Sequence, residues 1–403
     1  MKEFPRYNPI GLEEKAAAMR VLDSGCLSAF IGAWGDDFHG GQEVIQFESE
    51  LADFFNIKHA ISFNSLTSGL IAAVGAIGIE PGDEVIVSPW TMSATATAIL
   101  IWGGIPVFVD IEADYYGLDP AKVTAAITKH TKAIMVTDIF GHGAKLDELE
   151  EISQRFGLKI IEDVAQAPGI KYKKEFCGTW GDIGGFSLNY HKQIHTGEGG
   201  FCITHDDELA LKMKMIRNHA EASVVNSPIH ALTNMVGFNF RMGEMEAAIG
   251  REQLKKLSGL LQVNQRKAAI VNDILSAVPD FKLSELAQDS QHAYYVLPIN
   301  IVNHAHRRAI WLDSLTEMGI PGLMAGYVNV HRLPMYEQKI AFGKSYPWNM
   351  AHRDIEYGLG ICPVAEYLKD DSFVGLLISM YDLSDQECEF IAHSMVNTWN
   401  ELS

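Results

Sequence analysis

Over the first two thirds of the chain, short β-branched and apolar runs alternate with stretches whose apolar residues recur every three or four positions. His59–Phe63 reads as a strand and Ser68–Ile79 as the helix after it; Pro81-Gly-Asp83 is a turn, and Glu84–Ser88 is the next strand. A helix over Ser93–Trp102 leads to a strand at Pro106–Asp110. Asp119-Pro120 opens another helix, with proline in the first turn, where its missing N–H costs least. Lys132–Val136 and Leu158–Glu162 are further apolar strands, separated by a helix near Leu146–Phe156. Apolar strands alternating with helices predict an α/β fold with a mainly parallel sheet covered on both faces.

From about Met242 the pattern changes. Met242–Leu261 and Gln265–Val278 read as two long amphipathic helices. After Pro279 come a strand at His292–Ile299, a helix at His306–Met318 and a terminal helix from Ser384. The expected organisation is a large α/β domain over residues 1–262 and a smaller α+β domain over 263–403. Tyr327–Trp348 is expected to be a long functional loop, and the Gly-rich, aromatic segment Gly32–Gly41 an ordered loop.

Composition narrows the function. With 32 Lys plus Arg against 51 Asp plus Glu, the net charge is −19, which repels phosphate backbones and anionic lipid; no nucleic-acid or membrane partner is expected. Five scattered cysteines without a CxxC pair indicate neither a disulfide framework nor a zinc site, so a reducing, cytoplasmic setting is expected. The N-terminus carries no apolar segment of signal-peptide type.

Ligands in open α/β sheets sit at the carboxyl ends of strands, and four such ends carry polar residues. Asn64-Ser-Leu-Thr-Ser-Gly-Leu70 opens a helix after a strand, which suits either a phosphate site or an ordinary N-cap. Glu162-Asp163-Val-Ala-Gln166 ends an apolar strand in two acids, and a carboxylate buried there needs a cation or hydrogen bonds. A pyridinium nitrogen is one such cation; a structural salt bridge is the other reading. Gly185-Phe-Ser-Leu-Asn-Tyr-His-Lys192 precedes a tight turn, Gly197-Glu-Gly-Gly200, making Lys192 a candidate Schiff-base amine. Gly237-Phe-Asn-Phe-Arg241-Met leads into a long helix and by itself reads as a polar connector. His191 and His195 stand four apart, but no acid lies between them in a His-Glu-x-x-His pattern and the segment reads as loop, so no metal site is expected.

Together these motifs, with Pro81–Val85, Pro106–Asp110 and Asn239–Gln253 in order and spacing, resemble the DegT/DnrJ/EryC1/StrS family of sugar aminotransferases. The resemblance runs from Glu13 to the terminal helix. It implies the fold-type I architecture, with a mainly parallel seven-stranded sheet, and pyridoxal 5′-phosphate as cofactor. Lys192 would be the lysine that binds the cofactor covalently, Asp163 the partner of its pyridine nitrogen, and Gln166 a donor to its phenolic oxygen. Ala165 would pack on one ring face, and Leu66, Thr67 and Ser187 would hold the phosphate. Asn239 would reach the phosphate from the neighbouring subunit, which implies a homodimer with shared sites. The aromatic that usually stacks on the ring is Met92 here, and Trp90, two residues earlier, is an alternative cover. His195 replaces a commonly small or hydroxyl residue near the lysine, and His195, Tyr327, His331 and Arg332 are candidate substrate residues.

The implied activity moves an amino group from an amino acid, with L-glutamate the expected donor, to a keto-sugar, itself expected to be nucleotide-linked. Some members of the family replace the lysine by histidine and dehydrate sugars. The anchors Ser187 and Gly197–Gly200 put Lys192, not His191, in register. Dehydration or another keto-sugar conversion on the same fold, and a non-enzymatic cofactor-binding sensor, are the rival readings. No Gly-x-Gly-x-x-Gly joins the first strand to its helix, which argues against a nicotinamide dehydrogenase.

Overall fold

The computed structural model describes residues 3–227, 229 and 232–402. Seven strands form the large sheet: β1 (His59–Phe63), β2 (Glu84–Val87), β3 (Ile105–Phe108), β4 (Thr131–Thr137), β5 (Lys159–Asp163), β8 (Ile183–Ser187) and β9 (Gly200–Thr204); between β5 and β8 lies the small hairpin β6 (Lys171–Tyr172) and β7 (Glu175–Phe176). Their order is β1-β9-β8-β5-β4-β2-β3. Only β9 runs against the rest, pairing antiparallel with both β1 and β8. The parallel strands are apolar along their length because helices cover both faces. Every residue of β2 and β3 is buried.

The strand–helix alternation matches the sequence expectation, with ends moved by one to three residues. The Leu146–Phe156 helix falls where it was expected, and the helix after β1 runs Leu66–Ala76 rather than from Ser68. Three expectations need correction. Met242–Leu261 and Gln265–Val278 are not two helices: Glu244–Leu275 is one helix of 32 residues. Gln262 to Asn264 contain no breaker, and the helix simply changes what it covers. Leu254, Leu257 and Leu261 pack in the core around the large sheet, whereas Ala268, Val271 and Leu275 pack in a second core with Trp311 and Trp399. The expected strand at His292–Ile299 begins only at Leu297, because Ala293 and Val296 donate their N–H groups to Gly141 and Phe140 of the large sheet's β4–β5 connection. Tyr327–Trp348 is not one open loop but carries four short helical turns, from Val330–Arg332 to Trp348–Met350.

The second core lies under an antiparallel sheet of β10 (Phe281–Leu283), β11 (Leu297–Ile301), β12 (Leu323–Ala325) and β13 (Phe373–Leu376), in the order β10-β11-β13-β12. The helices Arg308–Glu317 and Asp385–Glu401 cover it, the latter opened by a Ser384/Glu387 capping box. In the Gly32–Gly41 segment Phe38 is fully buried, and the N–H groups of Gly41 and Glu43 bind the Glu244 carboxylate at 3.0 and 2.8 Å. No helix among the described residues is long and apolar enough to cross a membrane.

Candidate active site

The carboxyl ends of β1, β2, β5 and β8 open on one cleft. Leu66 and Thr67 line it from the start of their helix, Thr91 and Met92 from the turn after β2, and Asp163, Ala165 and Gln166 from the end of β5. Ser187 lines it from the end of β8, and Asn189, His191 and Lys192 from the turn that follows.

The helix start is built to take an anion. Ser65 caps it, accepting the Ser68 N–H at 3.2 Å, and the first N–H groups of a helix have no partner within it. The β9 strand presses close from behind: a Cβ at Gly200 would stand 2.4 Å from the Leu66 nitrogen, so only glycine fits.

Side chains alternate along a strand, and this separates the two acids that end β5. Glu162 turns away from the cleft and accepts N–H groups from Gly178, Trp180 and Gly181 at 2.8, 2.9 and 2.7 Å. Burial pushes its carboxyl up to about 7, against those three donors. Asp163 faces the cleft. Its Oδ2 accepts the Thr95 hydroxyl at 2.6 Å and its Oδ1 the Ala165 N–H at 3.1 Å. Burial raises its carboxyl above the ordinary range, while Thr95, the Ala165 N–H and the Lys192 charge pull it back.

Lys192 stands in a tight turn in which its N–H donates to the Asn189 carbonyl at 2.9 Å. The Asn189 amide donates to both oxygens of Glu198 at 3.0 Å and ties the turn to the Gly197–Gly200 loop. The ammonium lies 4.6 Å from the centre of the Tyr295 ring. Burial lowers its pKa to about 8, partly offset by Asp163, so near neutral pH a useful share of the amine is uncharged and nucleophilic. Burial and the lysine charge hold the adjacent His191 down to about 4.

These residues fit pyridoxal 5′-phosphate. A helix N-terminus suits the phosphate, a nucleophilic amine the aldehyde, and a buried carboxyl in need of a cation the ring nitrogen. The Thr137 hydroxyl also lines the cleft and has no hydrogen-bond partner among the described residues.

The structure brings Lys192, Asp163, Leu66, Thr67, Met92, Ala165, Gln166 and Ser187 to this one cleft. Gln166 is fixed by its Oε1, which accepts the Phe140 N–H at 2.7 Å, while its Nε2 lies 3.4 Å from the Tyr327 hydroxyl. That contact places Tyr327 at the edge of the site. Asn239 is exposed and outside this chain's cleft; its Oδ1 accepts from Arg241 Nε at 2.8 Å.

Three expectations fail. Trp90 does not cover the cleft: it is fully buried, stacks on Tyr116 and donates its indole N–H to Asn329 at 2.7 Å. His331 does not face substrate either, being wholly buried against Glu366 at 2.9 Å. His195 lies off the cleft, its N–H on Gln253 at 3.2 Å and its Nδ1 accepting the Gly197 N–H at 3.3 Å. Arg332, on the same loop as His331, pairs with Asp370 at 2.9 Å. Thr91, Thr95, Thr137 and Asn189 were not singled out from the sequence. The only signal was position: Thr91, Thr137 and Asn189 sit at or just beyond strand ends, where polar residues meet ligand, while Thr95 lies in the first turn of the helix Ser93–Ile101 that follows β2.

A mainly parallel sheet with a lysine, a buried aspartate and a helix N-terminus on one cleft defines a pyridoxal-phosphate enzyme of the aminotransferase type. The chain belongs to the DegT/DnrJ/EryC1/StrS aminotransferase family, whose model matches residues 32–355. Aminotransferases of this family use pyridoxal 5′-phosphate, and this protein is one of them. It is 32% identical to the spore coat polysaccharide biosynthesis protein SpsC of Bacillus subtilis, over 83% of this chain and 85% of the relative. It is 39% identical to the GDP-perosamine synthase of Caulobacter vibrioides, over 56% of this chain and 60% of the relative. Among solved structures, DesV of S. venezuelae matches with a TM-score of 0.81 at 30% identity, covering 96% of this chain and 94% of that one.

Proposed function

We propose that the protein transfers an amino group from an amino acid, L-glutamate in our reading, to a keto-sugar carried on a nucleotide. The observation that carries the proposal is that Lys192 and Asp163 line one cleft with the start of the Leu66–Ala76 helix. The sugar rests on similarity to proteins such as GDP-perosamine synthase.

The bound cofactor supplies an electron sink for the carbanion formed at the donor's Cα. Each residue then has a task. The Leu66 and Thr67 N–H groups and the Ser187 hydroxyl bind the phosphate. Asp163 holds the proton on the ring nitrogen, which keeps the sink charged. Ala165 and Met92, which line the cleft, would pack against the ring, and the Gln166 amide would donate to its phenolic oxygen. With the cofactor bound, the Lys192 amine would serve as the general acid–base that takes the proton from the donor's Cα and returns it to the cofactor side. In the second half of the cycle it moves a proton the opposite way on the sugar. Asn239 completes the phosphate site from the partner subunit of a homodimer, and the enzyme works in the cytoplasm.

The test is the visible spectrum of the purified holoenzyme before and after L-glutamate. A band near ~410–430 nm should give way to one near ~330 nm as the cofactor takes up the amine. Lys192→Ala should retain its fold and lose turnover. A persistent band would rule out glutamate as donor, and a product that had lost water rather than gained nitrogen would replace transamination by dehydration.

A further inference from the structure

The Asp163 carboxylate is gripped from two sides by groups that belong to different parts of the chain. Thr95 Oγ1 donates to Oδ2 at 2.6 Å, and Thr91 Oγ1 lies 2.6 Å from Thr95 Oγ1. Both threonines are almost entirely buried, at 1% exposure for Thr91 and 0% for Thr95, so water cannot substitute for either hydroxyl. The Ala165 N–H holds the other carboxylate oxygen at 3.1 Å.

We propose that Thr95, backed by Thr91, is a positioning residue that fixes the plane of Asp163 and keeps it ionised for the ring nitrogen of the cofactor. The inference rests on the assignment of Asp163 made above. A hydroxyl has a single proton, and a carboxylate can only accept. Thr95 must therefore give its proton to Asp163 and take that of Thr91, so the chain runs one way, from Thr91 through Thr95 to the acid. Protonated Asp163 would have a proton of its own to donate and would break this direction. The three hydrogen-bonded groups thus stabilise the ionised acid and leave its protonated form short of partners.

The need for such a device follows from the surroundings. Asp163 is buried, and the groups facing it are Lys192 from the turn after β8, Asp138 at the end of β4, Cys202 on β9 and Tyr327 from the smaller domain. Lys192 alone among them favours the carboxylate. Asp138, itself buried and pushed well above the ordinary carboxylate range, offers no cation, and the amine of Lys192 is largely uncharged above pH 8. The threonine pair supplies hydrogen-bond stabilisation that does not titrate.

The experiment is titration of the cofactor-free protein with pyridoxamine 5′-phosphate, which lacks the aldehyde and so binds without covalent attachment to Lys192. Affinity is read between about pH 5.5 and 8.5 for wild type, T95V, T95S, T91V and D163N. T95V keeps the shape and removes the donor. It should bind about tenfold more weakly, with the acidic limb of binding moved to higher pH. T95S should return both to wild type, and T91V should move both in the same direction by less. A purely structural role would lower the melting temperature of T95V without moving the limb, and that result overturns the proposal. Should T95V not fold, T91V carries the same test, and an unmoved limb there overturns it. D163N separates the two layers. If it binds as tightly as wild type, the assignment of Asp163 itself is wrong; if it binds weakly while T95V binds normally, only the role of Thr95 is lost.

Discussion

Lys192 and Asp163 are each removed from water, and each is moved by burial toward its uncharged form. Their mutual attraction works against that in both, so removing one partner has a sign that can be stated. In the cofactor-free protein, labelling of Lys192 by an amine-reactive reagent should rise with pH through a midpoint near 8, well below that of an exposed lysine. Asp163→Asn removes the charge that favours the ammonium, so the midpoint should move to lower pH. Mass-spectrometric quantification of the labelled peptide against pH measures both. A midpoint that did not fall in the variant would mean that the Asp163 charge does not act on the lysine.

At the scale of elements, the site depends on how closely β9 approaches the helix that starts at Leu66. Gly200→Ala should push that helix start away, because the new Cβ would meet the Leu66 nitrogen at 2.4 Å. We expect a stability loss of about 1–3 kcal/mol in denaturant unfolding. A larger proportional loss of cofactor affinity, measured by titration of the cofactor-free protein, should accompany it. A second element contact governs acid stability. Glu14, in the helix Leu12–Ser24, is buried against the long helix and bound by Lys256, Gln253 and the Gly11 N–H. Burial would push its carboxyl up, but these partners outweigh it and hold the carboxyl at about 2, below the ordinary 4.5. Because the folded value is the lower one, the stabilisation is complete above about pH 4.5 and is lost as pH falls toward 2. Glu14→Gln should therefore be less stable than wild type by about 2 kcal/mol at pH 7, with the gap closing in urea melts run at successively lower pH.

At the scale of the whole molecule, the proposal that Asn239 serves the partner's cleft makes a prediction that a single chain cannot satisfy. Lys192→Ala and Asn239→Ala should each be impaired alone. Unfolded together and refolded as a mixture, they should form hybrid dimers in which one of the two sites carries neither substitution. Random assortment then restores about a quarter of the wild-type sites. Activity of the mixture no higher than the mean of the two parents would show that each site is built from one chain.

Much of this protein was legible in its sequence because the signals concerned are local. Period and turn residues are read within a dozen positions, and they were enough for the alternating strands and helices, for the helix Leu146–Phe156 and for the terminal helix from Ser384. Chain order then placed Asn64–Leu70, Asp163–Gln166 and Ser187–Lys192 at strand ends, so the main groups of the cleft could be named before their distances were known. What only the tertiary structure decided is which side chains meet across long separations. Thr95 reaches Asp163 across 68 positions, and Trp90 leaves the cleft for Asn329 across 239. His331 gives up a role at the substrate for Glu366 across 35 positions, and the long helix continues unbroken because two separate cores accept its successive turns. Local pattern says that a residue is apolar or polar and which way it faces, but a buried hydrogen-bonding group takes the partner that folding brings to it.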